Sequence, residues 1–599
     1  MPDIDWSTEW LTSTLWVLGV TVAAAVGCLL VGWPLTRWTV WGRQLRRLAG
    51  PYFSPRGSAG WRPLLNTLGV LVMVILSVRI QVINSYVING IYTALQNYDE
   101  ASFLRYVGIF VVISVVAMAE VLLAFYLQQR LVIRWRVWFN DRVLGDWLDG
   151  RAYHRGRYTA APVDNPDQRI QEDVGSLTSD SVSLAVGAVG ALVSLVSFTI
   201  ILWELSGPLT LFGVQIPRAM TFSAYLYVII ASVIAFRIGR PLIRLNFLRE
   251  QFNASFRYAL VRLRDNSESI AFSRGEAAER HVLLGRFGRV IDNAWAIVYR
   301  SLKFQGFNVV ISQFSQIIPL VIQAPRFFAR QITLGDIQQT ASAFGQVHDS
   351  LSFFRLAYDD FAGYRAVLMR LTGLLDVDAE ARALPTVATE EGSGLDVRDL
   401  TVRLPDDRLL IDDLDLRLSP GDTLLVAGPS GSGKTTLLRS LADLWPYAEG
   451  RVRRPVGDEA MFVSQQPYLP LGPLRTALAY PATELDETRA RSVLRQVQLP
   501  QLADRLDEEV DWSRRLSPGE QQRLGFAAIL LARPRLVFLD EATSALDEGL
   551  EQTLYNLLRE ELPDAVVVSV GHRGTLTRFH DNRLDLLGDG RWETSAVVG

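Results

Sequence analysis

The chain has 599 residues, too many for one domain, and its formal net charge of −3 excludes the strongly basic surface of a nucleic-acid binder. Apolar residues make up 49% of it, mean hydropathy is positive, and the apolar residues gather in the first two thirds; this points to a membrane domain followed by a soluble one. The single cysteine, Cys28, excludes an intramolecular disulfide.

The first residues, Met1-Pro2-Asp3-Ile4-Asp5, are acidic where a removable signal peptide would be basic. Seven stretches approach the ~20 residues that a spanning helix needs: 15–33, 64–95, 103–127, 182–203, 219–236, 302–325 and 336–361, the last being the least apolar. Arginine placement orients them. Arg37, Arg43, Arg46, Arg47, Arg56 and Arg62 follow the first span, Arg130, Arg134 and Arg136 the third, and Arg240, Arg244, Arg249, Arg257, Arg262 and Arg264 the fifth. Loops rich in arginine stay in the cytoplasm, which puts the N-terminus outside and the C-terminal domain inside. Arg326 and Arg330 are a small exception.

Three spans carry polar stripes. Gln305, Asn308, Ser312, Gln316 and Gln323 share one helical face; Gln81, Asn84, Ser85 and Asn89 share another, and Gln339, Ser342, Gln346 and Asp349 a third. One such stripe reads as interhelical glue, but three together predict a common water-filled cavity for hydrophilic cargo. Arg79 and Glu120 also lie inside apolar spans, where a charge must be paired or hydrated. Either they pair with each other, or Glu120 meets cargo or a proton. The cavity candidates are thus Arg79, Asn84, Glu120, Gln305, Asn308, Gln316 and Gln346.

Residues 376–394 read as a linker, and beyond them strand-like runs alternate with helical ones, as in an α/β domain with a largely parallel sheet. The expected architecture is an all-α membrane domain with an extra N-terminal helix and elbow at 1–60 and six helices at 61–375, followed by a P-loop ATPase domain at 395–599. The P-loop is Gly428-Pro429-Ser430-Gly431-Ser432-Gly433-Lys434-Thr435, after the strand-like Leu424-Leu425-Val426-Ala427 and before a helical run from Thr436. Gly428, Ser430, Gly431, Gly433 and Thr436 belong to the phosphate cradle, Lys434 reaches the β/γ oxygens, and Thr435 can hold Mg²⁺. Lys434 is one of only two lysines, with Lys303, in a chain that otherwise uses arginine. A compact ammonium fits between phosphates where a planar guanidinium does not. Leu536-Val537-Phe538-Leu539-Asp540-Glu541 is an apolar strand ending in two carboxylates, Asp540 for Mg²⁺ and Glu541 to polarise the attacking water.

Further motifs are Gln465 in Phe462-Val463-Ser464-Gln465-Gln466-Pro467, then Leu516-Ser517-Pro518-Gly519-Glu520-Gln521, then Ser544-Ala545-Leu546-Asp547, then Gly571-His572-Arg573. In this order they resemble the nucleotide-binding domain of ABC transporters over about 200 residues. That resemblance implies ATP and Mg²⁺ as cofactors, with Gln465 sensing Mg²⁺, Ser517, Gly519 and Glu520 as the signature facing ATP on a partner subunit, Asp547 in the D-loop, and His572 as the switch histidine. Pro518 and Glu520 depart from the usual Leu-Ser-Gly-Gly-Gln, and no aromatic falls near Arg403-Leu404, where the family stacks adenine. One P-loop and one signature make a half-transporter, which implies a homodimer with two equal sites.

Residues Asp164-Asn165-Pro166-Asp167-Gln168-Arg169-Ile170-Gln171-Glu172-Asp173-Val174, with Trp147-Leu148-Asp149-Gly150-Arg151-Ala152-Tyr153, Ile238-Gly239-Arg240-Pro241-Leu242 and Phe256-Arg257-Tyr258-Ala259-Leu260-Val261-Arg262, resemble the SbmA/BacA-like branch fused to an ATPase, in particular the mycobacterial BacA-related importers. This implies an exporter-type fold in a bacterial inner membrane that imports hydrophilic cargo: cobalamin, bleomycin-like compounds and antimicrobial peptides. It also implies that 165–174 and 257–275 carry coupling helices that press on the ATPase near Gln465. The Asn-Pro-Asp-Gln-Arg-Ile pattern occurs in peroxisomal fatty-acyl transporters too, so acyl or lipid transport is an alternative, as are multidrug export and an ATP-gated channel or receptor.

Overall fold

The computed structural model describes residues 7–207, 209–211, 214–216 and 218–597; residues 1–5, read above as unlike a signal peptide, lie outside these. The chain divides into two compact units, Met1–Gly145 with Asp164–Leu375, and Asp146–Val163 with Asp376–Gly599.

The first unit begins with α1 (Glu9–Trp38), which runs almost directly into α2 (Val40–Phe53). Thr39 makes the corner: its side chain accepts from the Gly42 amide and caps α2. Helix α2 is amphipathic. Its buried face (Leu48, Ala49, Tyr52) is held by aromatic rings of α4 (Glu100–Leu148), with Tyr52 stacked on Trp135 at 5.9 Å and Phe53 edge-on to it at 5.1 Å. Between them, α3 (Arg62–Gln96) buries Val70, Val74, Val78 and Val82, one residue per turn on a single line. That line meets α7 (Val174–Leu205), where Gly190 lets Val74 approach and Gly187 makes room for the Phe353 ring.

Ahead of α7 stand α5 (Ala152–Arg155), which belongs to the second unit, and α6 (Pro166–Gln168). A short hairpin, β1 (Leu209–Leu211) and β2 (Val214–Ile216), leads to α8 (Ala219–Asp265). Helix α9 (Ser267–Phe272) turns the chain back into α10 (Glu276–Phe328), which lies along α8 with Asn293 donating to the Leu245 carbonyl and Arg286 to Ser255. Helix α11 (Leu334–Ala383) closes the unit.

Among the described residues, six helices are long and apolar enough to cross a membrane: α1, α3, α4, α7, α8 and α10. The seventh expected span, 336–361, is helical as part of α11 but too polar to qualify by composition. Its apolar residues Ala343, Phe344 and Val347 are fully buried against protein, so its other faces need not be apolar.

The second unit contains, in order, β3 (Ala388–Glu391), β4 (Leu395–Arg403), β5 (Leu409–Leu418), β6 (Thr423–Ala427), α12 (Lys434–Leu441), β7 (Ala448–Arg454), β8 (Ala460–Val463), β9 (Gly472–Pro473), α13 (Leu474–Ala479), α14 (Glu487–Gln496), β10 (Glu509–Val510), α15 (Trp512–Arg515), α16 (Pro518–Ala532), β11 (Leu536–Asp540), α17 (Glu548–Glu561), β12 (Val566–Val570), β13 (Asn582–Gly588) and β14 (Arg591–Ala596). Among the described residues these strands form a sheet ordered β14-β13-β6-β12-β11-β8, whose last five members run parallel, and a second sheet ordered β3-β7-β4-β5. Strands β6 and β12 are buried along their whole length, as a parallel sheet covered on both faces requires.

One expectation changes here. Residues 376–394 are not a free linker: α11 continues to Ala383, and β3 then adds to the sheet beside β7. The stretch 146–163 belongs to the ATPase unit itself. Arg151 donates to the Ala442 carbonyl, Arg155 donates to the carbonyls of Leu384 and Pro385, and Tyr158 packs edge-on against Trp445 at 5.2 Å. Residues 165–174 belong to the membrane unit, where Asp173 accepts both arms of Arg370 at 2.6 and 2.7 Å and fixes the start of α7 to α11.

One buried chain of hydrogen bonds makes the ATPase unit sensitive to acid. His580 Nδ1 donates to the Leu576 carbonyl, and its Nε2 accepts from Ser569, whose oxygen also accepts from Tyr555. This arrangement needs a neutral ring, and burial pushes the His580 pKa down to about 4. Unfolded, the group binds its proton near pH 6.5, so its contribution is complete above about pH 6.5 and is lost as pH falls toward 4, in all about 3 kcal/mol. Hydrogen exchange at 566–570 in the intact protein should therefore quicken over that window. His580→Gln should flatten the dependence between pH 6.5 and 5; an unchanged slope would show that carboxylates alone set it.

Candidate functional site

Strand order brings the ATPase residues together. Strand β12 lies between β6 and β11, and β8 lies beyond β11, all parallel, so their C-terminal ends form one row about 5 Å per step. The loop after β6 is the P-loop, β11 ends in Asp540 and Glu541, β12 is followed by His572, and β8 by Gln465. Segments over 140 residues apart in sequence thus meet at one sheet edge.

In the P-loop, Gly428, Gly431 and Gly433 have φ of 141°, 82° and 99°, a region that favours glycine. A Cβ at Gly428 would also stand 2.5 Å from the Leu586 carbonyl oxygen. Gly433 caps α12, whose first turn holds Lys434, Thr435 and Thr436, while Ser430 is exposed on the loop. Lys434 Nζ bridges the carbonyls of Gly428 and Pro429, 2.9 Å from each, at the centre of the cradle. Thr435 donates to Asp540 at 3.3 Å. Burial raises the Asp540 carboxyl above its usual range; the Thr435 bond lowers it again and neighbouring Glu541 raises it. A hydroxyl beside a carboxylate is a hard-oxygen donor pair that fits Mg²⁺. Gln465 donates to Ser544 at 3.4 Å.

Glu541 has a left-handed backbone, φ 50°, held by its amide bond to the Val570 carbonyl. Its carboxylate lies 3.6 Å from His572 Nδ1, and His572 is itself exposed. Asp547 caps α17 through the Leu550 amide. The departures at the signature have a structural reason. Ser517 is the N-cap of α16, and Pro518 occupies the first helical position, where the missing N–H would have had no partner anyway. Glu520 closes a capping box with Ser517, accepting from its amide at 3.0 Å and its hydroxyl at 2.9 Å. These bonds hold the Glu520 carboxyl below its usual range. Gly519 allows the Ala545 carbonyl to approach; a Cβ there would lie 3.2 Å from it. At Leu404 the turn after β4 carries no aromatic, and Trp445 instead donates to the Arg403 carbonyl.

Two positions escaped the sequence reading. Gln522, 2% exposed, donates to the Gln465 carbonyl at 3.0 Å and to Ser544 at 3.1 Å, and accepts from the Ala545 amide at 2.9 Å. One side chain of α16 therefore ties the Gln465 loop to the segment leading to Asp547. Glu551, fully buried, accepts from Thr543 and Thr575, with Arg573 3.8 Å away. Helical phase puts Gln522 on the same buried face as Phe526 and Ile529, and that was the one available signal.

In the membrane unit Arg79 and Glu120 do not pair. Arg79 bonds Glu9 of α1 at 2.6 Å and Ser13 at 3.0 Å, and lies over the Trp16 ring. Glu120 is buried and bonds Ser77. Two of the three stripes meet at one cavity, Gln81 from α3 with Gln346 and Asp349 from α11. Gln323 and Gln339 are glue: Gln323 donates to Thr340 and the Leu205 carbonyl, and Gln339 joins Asn89 and Ser85. Gln346 and Glu120 line a cavity together, from which Asn84 is absent. Gln305 and Gln316 are exposed on α10, Asn308 half-buried, and none of the three reaches that cavity.

Residues 48–328 match the family of the ABC transporter transmembrane region 2, and residues 411–544 that of the ABC transporter ATP-binding domain. An ABC transporter ATP-binding protein of Haemophilus influenzae is 44% identical over 98% of this chain and 100% of its own. The chain is an ABC transporter. The inner membrane ABC transporter YddA of Escherichia coli is 33% identical over 80% of this transporter and 85% of its own length. The human lysosomal cobalamin transporter ABCD4 is 30% identical over 78% and 82%. A bacterial Atm1-family ABC exporter solved with ATP bound superposes with a TM-score of 0.69 over 89% of this chain and 95% of that one, at 18% identity, a likeness of fold. The transporter is a membrane protein of half-transporter type, with an ATPase domain coupled to transport.

Because Gln522 ties the Gln465 loop to the segment before Asp547, Gln522→Ala, which removes all three of these bonds, should leave ATP affinity within about threefold and lower kcat about tenfold or more. An equal loss in both would make it a general stability residue.

Proposed function

We propose that this transporter uses ATP to import hydrophilic compounds, cobalamin among them, as a homodimer of the SbmA/BacA-like branch. The observation that carries the reading is a cavity among the helices of the membrane unit that places Glu120, Asp349 and three amide side chains on a largely apolar wall, in a chain whose relatives include a cobalamin transporter. The N-terminal helix α1, clasped to α3 through Glu9 and Arg79, is consistent with the extra span of that branch.

Dimer formation follows from incompleteness. Ser517 and Gly519 start a helix whose amides favour an anion, but they belong to the signature and not to the P-loop of the same chain. A second copy brings its own P-loop to them. Helices α8 and α10, with 47 and 53 residues, are about 70–80 Å long, far beyond the ~30 Å of hydrocarbon. The tip between them leaves Phe272 82% exposed, an apolar anchor for another protomer.

In each site Lys434 leaves the carbonyls of Gly428 and Pro429 to contact the β/γ-phosphates. Thr435 and Asp540 would hold Mg²⁺ with Gln465, and the ion would neutralise phosphate charge. Glu541 accepts a proton from the attacking water, and His572 steadies the γ-phosphate beside it. Binding closes the two ATPase domains and reorients the cavity, and hydrolysis resets it.

Lys434→Ala should abolish hydrolysis, whereas Glu541→Gln should bind ATP with near-normal affinity and turn over at least about a hundredfold more slowly. The decisive test is uptake of labelled cobalamin into right-side-out proteoliposomes with ATP and Mg²⁺ trapped inside. Accumulation that Glu541→Gln abolishes supports import. ATPase activity without uptake turns the assignment toward another cargo or toward export.

A further inference from the structure

The cavity of the membrane unit is an open cleft lined by α3, α4, α7 and α11, with a volume of about 520 Å³, within the range of small-molecule sites. Two carboxylates line it, Glu120 and Asp349, with the amides of Gln81, Gln128 and Gln346. Among the described lining residues there is no lysine, arginine or histidine. The basic group of α3 nearest in sequence, Arg79, is already engaged by Glu9. Among the described residues, His348 lies beside Asp349, with its Nδ1 3.1 Å from the carboxylate. Glu120 has the hydroxyl of Ser77, a single donor for a group with about four acceptor positions.

A second observation marks the wall as built for an occupant. Ser194 of α7 lines the cavity, is 7% exposed, and its hydroxyl has no hydrogen-bond partner among the described residues. Ser350, on the same wall, satisfies itself on the Gln346 carbonyl of its own helix. A buried hydroxyl left open costs about 1–3 kcal/mol. Asp349 stands exposed at the mouth of the cavity, whereas Glu120 is buried, and a buried carboxylate inside a membrane domain needs positive charge or water. Both requirements are met by a ligand that brings several N–H donors on a cation.

We propose that this cavity is a cargo subsite for hydrophilic organic cations, in which Glu120 and Asp349 take protonated amines and Ser194 accepts from a further N–H. This rests on the transporter reading and narrows it to a class of cargo. Each Glu120 carboxylate oxygen can receive an ammonium N–H as a charge-assisted bond. Anionic cargo is repelled, and a neutral polyol gains only the amides and hydroxyls.

The test is equilibrium binding of radiolabelled spermidine to the intact transporter in lipid nanodiscs without nucleotide, with ATP hydrolysis measured on the same preparation. Binding should be saturable, displaced by unlabelled spermidine, and unaffected by equal sorbitol or citrate. Glu120→Gln should weaken it about tenfold or more, while Glu120→Asp stays within about threefold. Absence of saturable binding, equal displacement by sorbitol, or unchanged affinity in Glu120→Gln would overturn the proposal. Should Glu120→Gln fail to elute as the parent does, Asp349→Asn decides in the same way: a loss of about tenfold supports the subsite and full affinity removes it. A preparation that hydrolyses ATP but binds no spermidine loses the subsite and keeps the transporter reading. One that binds spermidine but hydrolyses no ATP keeps the subsite and loses ATP-driven transport.

Discussion

Every reactive group of the ATPase unit is placed by the position of one strand. Strand β12 runs parallel between β6 and β11, pairing Val570 with Asp540 on one side and with Val426 on the other. If β12 lay at an edge, the P-loop would sit beside the two carboxylates with no place between them for the segment that carries His572. The order works because the three strands are largely apolar and buried on both faces up to Asp540, so a one-residue slip exposes no new face but drags the catalytic ends out of line. The bond from the Glu541 amide to the Val570 carbonyl locks that alignment at the end where it matters.

The membrane unit handles polar groups by a different rule. Several polar side chains of the apolar helices are met by protein partners. Arg79 finds Glu9, Gln323 finds Thr340, and Gln339 finds Asn89 and Ser85. The bonds of Asn89 and Gln339 join α3 to α11 and keep the latter, the most polar of the long helices, within protein. What is left over is Glu120 with its neighbours, and these face the same space.

How far the sequence could be read depended on how local the determinant was. The P-loop was legible because its chemistry lies within eight consecutive residues between a strand and a helix, and the structure places Thr423–Ala427 and Lys434–Leu441 there. The polar stripes were legible as faces, since helical period alone sets a face. What each face meets is a tertiary fact: Gln339 and Gln346 lie on one stripe, yet the first is bonded to α3 and the second lines the cavity. The partner of Arg79 lay 70 residues away, in a helix that hydropathy shows only as a span. Glu551 stayed hidden because nothing in its own neighbourhood tells a buried carboxylate on an amphipathic helix from a solvated one. Pro518 and Glu520, which looked like defects of a phosphate-binding motif, are sound choices for the start of a helix.

The scarcity of lysine and cysteine leaves this transporter with an unusually short list of chemical handles. Amine-directed reagents have two side chains to find, Lys303 and Lys434, and the second is drawn into its own loop by two carbonyls. Protection of that amine therefore follows the state of the cradle. The one thiol, Cys28, is exposed on α1. Any thiol label therefore reports on the N-terminal helix alone, with no cysteine to remove first, and tryptic peptides will begin almost everywhere after arginine.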